Sequence, residues 1–227
     1  MSIIIAPQIA AELFVFLAES GINLITHCFQ KLSLSTMLQS QRLYFIAFLP
    51  PQDIQDYANQ IKQYFADKYA SRHAQKSPPH ITLQPPFKWA DAEVLRLEEC
   101  LKDFASDRES VPITLSGFGT FAPRVIYINV VRSLELMTLY SDLIAYLESN
   151  LRIVDKVGKT RPFAPHMTVA FRDLSRQNFK AAWSEFEKQQ LHFEFTASDL
   201  KLLLHDGKRW NVKSEFPLQK AYLQGFL

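Results

Sequence analysis

The chain is poor in cysteine and glycine, and this excludes several kinds of protein. Its 227 residues include two cysteines, Cys28 and Cys100, too few for the disulfide framework of a small secreted domain. We therefore expect a reducing, cytoplasmic location. The sequence has six glycines but 18 phenylalanines and eight tyrosines, so there is ample apolar surface to bury. Collagen-like and wholly disordered chains are excluded.

Neither sign of charge dominates the sequence. Lysine and arginine number 25 against 23 acidic residues, which gives a formal net charge of +2. This balance argues against a protein that coats nucleic acid, although it allows a small site for one phosphate. The length suits one moderate domain or two small lobes that share a core, and we expect a monomer.

No long hydrophobic run occurs in the N-terminal extension, residues 1–36. Polar residues interrupt it well before the roughly 20 apolar residues that a transmembrane helix needs. Apolar residues at helical spacing predict an amphipathic helix there, made by Ile9, Leu13, Phe16, Leu17 and Leu24. The segment lacks the basic face of membrane-surface helices, so we expect no stable membrane association. It is either an appended helix or residues upstream of a start at Met37, and a two-lobed domain follows over 37–227.

Hydrophobic periodicity divides that domain into two similar halves. Each half reads strand, helix, strand, helix, strand, over about 42–118 and about 124–205. The predicted helices cover residues 52–69, 91–105, 133–150 and 175–190. We infer an α+β fold made of a duplicated unit with approximate two-fold symmetry. Equivalent residues of the two halves would then face each other across a shared cleft.

The same short motif opens the second strand of both halves. It reads Pro-His-apolar-Thr-apolar, as PHITL at 79–83 and PHMTV at 165–169. Composition alone predicts roughly 0.003 such motifs per chain, so two at equivalent points are not accidental. Residues two apart in a strand share a face, which places His80 beside Thr82 and His166 beside Thr168.

Two facing imidazoles suit displacement at phosphorus. Histidine acts as acid or base near neutral pH, and this reaction needs one group to take a proton and another to give one. Threonine hydroxyls can donate hydrogen bonds to the non-bridging oxygens, whose charge grows in the transition state.

These motifs resemble those of the two-histidine phosphoesterases, which include 2′-5′ RNA ligase-like proteins and cyclic nucleotide phosphodiesterases. The resemblance runs from Arg42 to the C-terminal strands and includes RLYFIAFLPP at 42–51, GFGTFAPRVIYINV at 117–130 and RPFAPHMTVAF at 161–171. It implies a bilobal fold with two antiparallel sheets flanking a central cleft and helices outside. It also implies catalysis without a metal or other cofactor.

The resemblance further implies a function and its residues. His80 and His166 would be the catalytic pair, with a preference for His80 as acid and His166 as base, and Thr82 and Thr168 would bind phosphate. The expected substrates are RNA ends or small nucleotides carrying a 2′,3′-cyclic phosphate or a 2′-5′ phosphodiester. Hydrolysis run backwards with an RNA hydroxyl would be 2′-5′ ligation. The alternative is a module that binds a phosphate or an RNA end without turnover.

Other candidates carry weaker signals. Phe45 and Tyr127 occupy equivalent places in the opening strands and would either stack on a base or belong to the core. Four basic residues near cleft-forming strands could pair with phosphate, although a solvated surface role explains each as simply: Lys88, Arg124, Arg161 and Arg172. The histidines outside the motif are interpreted as surface or turn residues: His27, His73, His192 and His205.

The sequence predicts no metal site, since HxT has no adjacent carboxylate or cysteine. It also has no P-loop, no G-x-S-x-G elbow and no complete dinucleotide fingerprint. Specificity is expected in the loops 71–79 and 151–164.

Overall fold

A computed structural model describes residues 40–155 and 158–219. The predicted N-terminal extension, 1–36, lies outside the described residues. Eight strands are present in this part of the chain: β1 Gln41–Phe48, β2 Ile81–Ala90, β3 Val111–Phe121, β4 Val125–Val130, β5 His166–Ala170, β6 His192–Ala197, β7 Asp199–His205 and β8 Trp210–Pro217. The α-helices are α1 Gln52–Tyr69, α2 Val94–Ser106, α3 Leu134–Leu151 and α4 Arg176–Phe186. The predicted α+β class is confirmed.

Local sequence explains where the helices start and stop. Ser133 and Ser175 cap α3 and α4, since their hydroxyls accept hydrogen bonds from Leu136 N at 3.2 Å and Asn178 N at 3.1 Å. Helices α1 and α3 end where Ala70 and Arg152 adopt the left-handed conformation, with φ of 54° and 56°. None of the helices in the described part of the chain has the length and apolarity to cross a membrane.

The strands form two four-stranded antiparallel sheets with the orders β2-β1-β7-β8 and β5-β4-β3-β6. Strand β1 lies beside β2, which begins directly after His80, and strand β4 lies beside β5, which begins at His166. The two sheets thus repeat the same arrangement, as a duplicated unit predicts.

Sheet membership does not follow the two halves of the sequence. Strand β3, which begins inside the predicted range 42–118, lies in the second sheet, and β7, inside 124–205, lies in the first. The short turn after Phe121 joins β3 to β4 as an antiparallel hairpin, with Phe121 opposite Val125. The last strand of each range therefore belongs to the sheet that contains the HxT strand of the other range. Hydrophobic periodicity along the chain does not predict this exchange.

Strand β2 is longer than the predicted 80–83. It continues through Pro85 and Pro86 to Ala90. The prolines look like strand breakers, but β2 is an edge strand, where a missing N–H need not interrupt the ladder.

One hydrophobic core joins both sheets and all four helices. Its buried members include Ile46 and Leu202 from the first sheet and Ile128 and Met167 from the second, each fully buried. The HxT strands alternate as predicted, since Ile81, Leu83, Met167 and Val169 are buried between half-buried motif residues.

Candidate active site

Both HxT motifs open onto one cavity of about 590 Å³. His80, Thr82, His166 and Thr168 all line it. Each threonine lies two residues after its histidine, and β5 pairs with β4 so that Thr168 is opposite Tyr127. The predicted convergence of two imidazoles and two hydroxyls is therefore present, in a cavity of the size that binds small molecules.

The two imidazoles are held in the same way. His80 Nδ1 lies 2.7 Å from Pro78 O, and His166 Nδ1 lies 2.7 Å from Ala164 O. Since a carbonyl oxygen only accepts, each Nδ1 carries the hydrogen, and Nε2 of the neutral ring is left with its lone pair. In both motifs the proline stands between the histidine and the residue whose carbonyl it uses, so the two rings are fixed by equivalent backbone segments.

Both imidazoles are poised as neutral groups. Burial lowers the pKa of His80 to about 4, with further lowering by the charges of Lys62 and His166 and an opposing effect of the Pro78 carbonyl. Burial also lowers the pKa of His166, opposed by the Ala164 carbonyl. Both shifts favour the neutral imidazole at neutral pH.

Aromatic side chains pack against both rings. The Phe45 ring is 4.7 Å from that of His80, and the Tyr127 ring is 5.2 Å from that of His166. Phe45 lines the cavity although it is only 3% exposed, and it also packs on Trp210 at 4.6 Å. Tyr127 is half-buried and is not among the lining residues. Both rings therefore support the histidines, and stacking of a base on Phe45 stays a prediction.

Of the four basic residues proposed to pair with phosphate, one lines the cavity. Arg172 lines the cavity, whereas Arg124 is exposed in the β3–β4 turn and is not among the lining residues. Lys88 and Arg161 are also absent from the lining. Proximity in sequence to a cleft strand was the only signal for these residues, and it does not fix the direction of a side chain.

Sequence reasoning missed several lining residues. His73 and His205, interpreted as surface or turn residues, both line the cavity, as do Lys76, Phe121 and Trp210. His205 is opposite Trp210 across the β7–β8 hairpin, and their rings are 4.9 Å apart. Among these residues, only His73 and Lys76 lie in a loop, 71–79, where the sequence predicted specificity.

Lys62 was missed as well, because lysine beside Ile61 in α1 resembles a solvated helix position. The side chain is 1% exposed, and its Nζ donates to Ser77 O at 2.9 Å. Burial lowers the pKa of Lys62 to about 7. Ser77 begins the segment that leads to His80, so a buried cation lies behind that wall of the cavity.

No cluster of three or more histidine, cysteine or acidic side chains suited to hold a metal occurs in residues 40–155 and 158–219. The motif groups that converge are imidazoles and hydroxyls, which suit an anion.

The comparison with known families decides the relationship. The model of the 2′-5′ RNA ligase superfamily matches residues 50–209, which include both HxT motifs. The chain belongs to the 2′-5′ RNA ligase superfamily.

Relatives and solved structures agree with this membership. Two relatives carry the name "putative phosphoesterase". The one from Geobacillus kaustophilus is 31% identical over 178 residues, and the one from Geobacillus thermodenitrificans is 30% identical over 178 residues. Each match covers 76% of this chain and 94% of the relative. TT0787 of Thermus thermophilus has a TM-score of 0.59 at 18% identity, covering 79% of this chain and 100% of its own. Apo LigT of E. coli has a TM-score of 0.53 at 17% identity, covering 79% and 99%. The superfamily's fold is thus the fold of this chain.

Proposed function

We propose that this superfamily member is a phosphoesterase that opens 2′,3′-cyclic phosphates of RNA ends or nucleotides. The observation that carries the proposal is the pair of identically held imidazoles lining one cavity, each followed by a threonine two residues later. We propose further that it works as a monomer in the cytoplasm and needs no metal.

The chemistry requires one proton to be taken and one to be given. One Nε2 takes a proton from water as the water oxygen attacks phosphorus in line with the leaving oxygen. The other imidazole, protonated, gives its proton to the 2′ or 3′ oxygen as the P–O bond breaks, so the product is a monoester and a free hydroxyl. Thr82 and Thr168 donate hydrogen bonds to the non-bridging oxygens. With an RNA hydroxyl in place of water, the reverse sequence forms a 2′-5′ bond.

Because both imidazoles are neutral in the free protein, the general acid must first be protonated. One ring must gain a proton before it can act as the acid, and the negative charge of a bound phosphate raises the pKa of an adjacent imidazole. The substrate therefore helps to charge the acid. The preference for His80 as acid and His166 as base stays a prediction.

The comparisons support a nucleotide substrate. LigT of E. coli has been crystallised with 3′-AMP, and that structure matches this chain with a TM-score of 0.52. A cavity of about 590 Å³ leaves room for more than a lone phosphate.

The test is a panel of cyclic phosphates and 2′-5′ dinucleotides assayed in EDTA, with product regiochemistry recorded. His80→Asn and His166→Asn should each lower kcat by about 10²–10⁴ because each removes an acid or base. His192→Asn changes an exposed histidine on β6 outside the cavity and should behave like the wild type. Abolition by chelator, or wild-type rates in both motif variants, would refute the proposal. Tight binding of cyclic phosphates without hydrolysis would instead favour the binding module.

A further inference from the structure

A basic corner, formed by His73, Lys76 and Arg172, lines the cavity beside the two HxT motifs. Arg172 Nη1 lies 3.2 Å from His73 Nε2, and the guanidinium lies 5.4 Å from the centre of the Phe171 ring. Within residues 40–155 and 158–219, no carboxylate pairs with Arg172 or Lys76. Positive charge that is concentrated in a cavity and not neutralised there attracts an anion.

Asp173 fixes the two segments that carry the basic corner. Its carboxylate accepts hydrogen bonds from Ser71 Oγ at 3.0 Å, Arg72 N at 2.8 Å and His73 N at 2.9 Å. Ser71 is fully buried, so the link is anchored in the interior. One side chain thus ties the loop after α1 to the loop after β5 and holds His73 against Arg172.

The backbone at Arg172 is itself unusual. Its φ is 60°, in the left-handed region that side chains other than glycine rarely adopt. Such strain costs energy and persists where surrounding contacts enforce it, often at sites that bind ligands. Here it turns the chain directly after β5, and the arginine side chain lines the cavity.

His73 serves this corner as a neutral partner. Burial lowers the pKa of His73, as do the charges of Arg172 and Lys76, while Asp173 opposes the shift. The neutral Nε2 accepts from the guanidinium and orients it. Arginine has five N–H donors, so others stay available for a ligand.

We propose that the basic corner binds a second phosphate, attached on the 5′ side of the nucleotide whose cyclic phosphate lies between His80 and His166. The inference rests on the proposed function and narrows its substrates to nucleotides or RNA ends with two phosphates. The reacting phosphate already has the imidazoles and the hydroxyls of Thr82 and Thr168. The corner comes from separate loops and adds charge that a single phosphate does not require.

The experiment compares adenosine 2′,3′-cyclic phosphate with its 5′-phosphorylated form. Wild-type kcat/KM should be about tenfold higher for the 5′-phosphorylated substrate, a factor that corresponds to about 1.4 kcal/mol and that one charge-assisted hydrogen bond can supply. Arg172→Met should raise KM for the 5′-phosphorylated substrate about tenfold. It should leave KM for adenosine 2′,3′-cyclic phosphate within about twofold of the wild-type value. Lys76→Met, at an exposed side chain, should shift KM in the same direction by a smaller factor. Arg176→Met, an exposed arginine on α4 outside the cavity, is the matched control.

Two outcomes would overturn the inference. Equal loss on both substrates in Arg172→Met would mean that the arginine acts on the reacting phosphate, and no wild-type preference would mean that no second site exists. If neither compound is hydrolysed, the proposed function fails, and calorimetric titration with the same two compounds still tests the corner. Tighter binding of the 5′-phosphorylated compound that Arg172→Met removes supports it, and equal affinities refute it.

Discussion

The two motif histidines differ from free histidine because each has one nitrogen committed to a backbone carbonyl and a ring packed among aromatic neighbours. His80 lies against Phe45, and His166 lies against Tyr127 and Phe121, the latter at 4.8 Å. These contacts cover part of each half-buried ring and favour the neutral form. They also restrict each imidazole to one orientation, which an acid–base pair needs.

The pH profile should record this environment. The profile of kcat/KM reports the free protein, where the pKa of His80 is about 4 and that of His166 lies below its ordinary value of 6.5. We therefore expect a bell with its maximum below pH 6.5, because above it no imidazole holds the proton that the leaving oxygen requires. The profile of kcat should peak at higher pH, since bound phosphate raises the pKa of the acid. An optimum of kcat/KM above pH 7 would contradict this picture.

Lys62 is a buried basic side chain close to the site, and burial of its charge destabilises the folded protein. Its ammonium bonds to the Ser77 carbonyl and has no carboxylate partner in the described part of the chain. Burial of a charge without an opposite charge destabilises the folded state. The same hydrogen bond attaches the chain that leads from Ser77 to His80 to helix α1.

Lys62→Met should therefore stabilise the protein and weaken catalysis. We expect the free energy of unfolding at pH 7 to rise by about 1–3 kcal/mol, as when buried charges are replaced by apolar groups, and kcat to fall several-fold. In the wild type the pKa of Lys62 drops from 10.5 to about 7 on folding, so the unfolded chain binds the extra proton between these values. Stability of the wild type should rise with pH across that window, and the variant should lack this rise.

Urea titrations from pH 6 to pH 10.5, with kinetics on the same samples, would check both effects. A variant that is less stable than the wild type at every pH would show that the hydrogen bond to Ser77 outweighs the buried charge.

Among the secondary-structure elements, the β3–β4 hairpin supports one of the two histidines. Gly119 is opposite Tyr127 in the ladder, and the Tyr127 ring lies over it and packs on His166. A Cβ at Gly119 would lie 2.5–2.8 Å from atoms of that ring. The absence of a side chain at Gly119 thus leaves space for the Tyr127 ring, which packs against His166.

Gly119→Ala should displace the Tyr127 ring and disturb His166. We expect a loss of about 1–3 kcal/mol in stability from overpacking, together with about a tenfold fall in kcat. Ser116→Ala, at an exposed position on the same strand, is the control. Loss of stability with kcat unchanged would show that His166 does not depend on the Tyr127 ring.

Across the complete domain, the exchange of β3 and β7 makes the two sheets interdependent. Each sheet is completed by a strand from the other half of the sequence, and a single core cluster spans both. Neither half can bury its own apolar surface without the other. The cavity between the HxT motifs is therefore a property of the complete fold.

Equilibrium unfolding should accordingly be a single transition. Ile46→Ala in the first sheet and Ile128→Ala in the second, both at fully buried positions, should each lower stability by about 2–4 kcal/mol. Far-ultraviolet circular dichroism and the fluorescence of Trp89, Trp183 and Trp210 should give the same midpoint in both variants. Two separated transitions, with each substitution shifting only one, would show that the halves fold independently.

Local rules were enough to predict the strand and helix order of the domain, the α+β class and the four HxT residues of the cavity. Apolar periodicity identifies the elements, and the period of two in a strand places His80 with Thr82 and His166 with Thr168 on one side. The recurrence of the motif supplied the relation between the halves. The two ranges 42–118 and 124–205, taken as lobes, stay a prediction.

Long-range contacts, in contrast, determine which strand completes which sheet and which other side chains reach the cavity. The pairing of β3 with β4 and of β1 with β7 joins segments that periodicity does not relate to each other. The same holds for Arg172 beside His73, joined through Asp173, and for Lys62 behind His80. A charged side chain at a loop or helix position looks alike in sequence whether it faces water or a cavity, because its surroundings come from the rest of the fold.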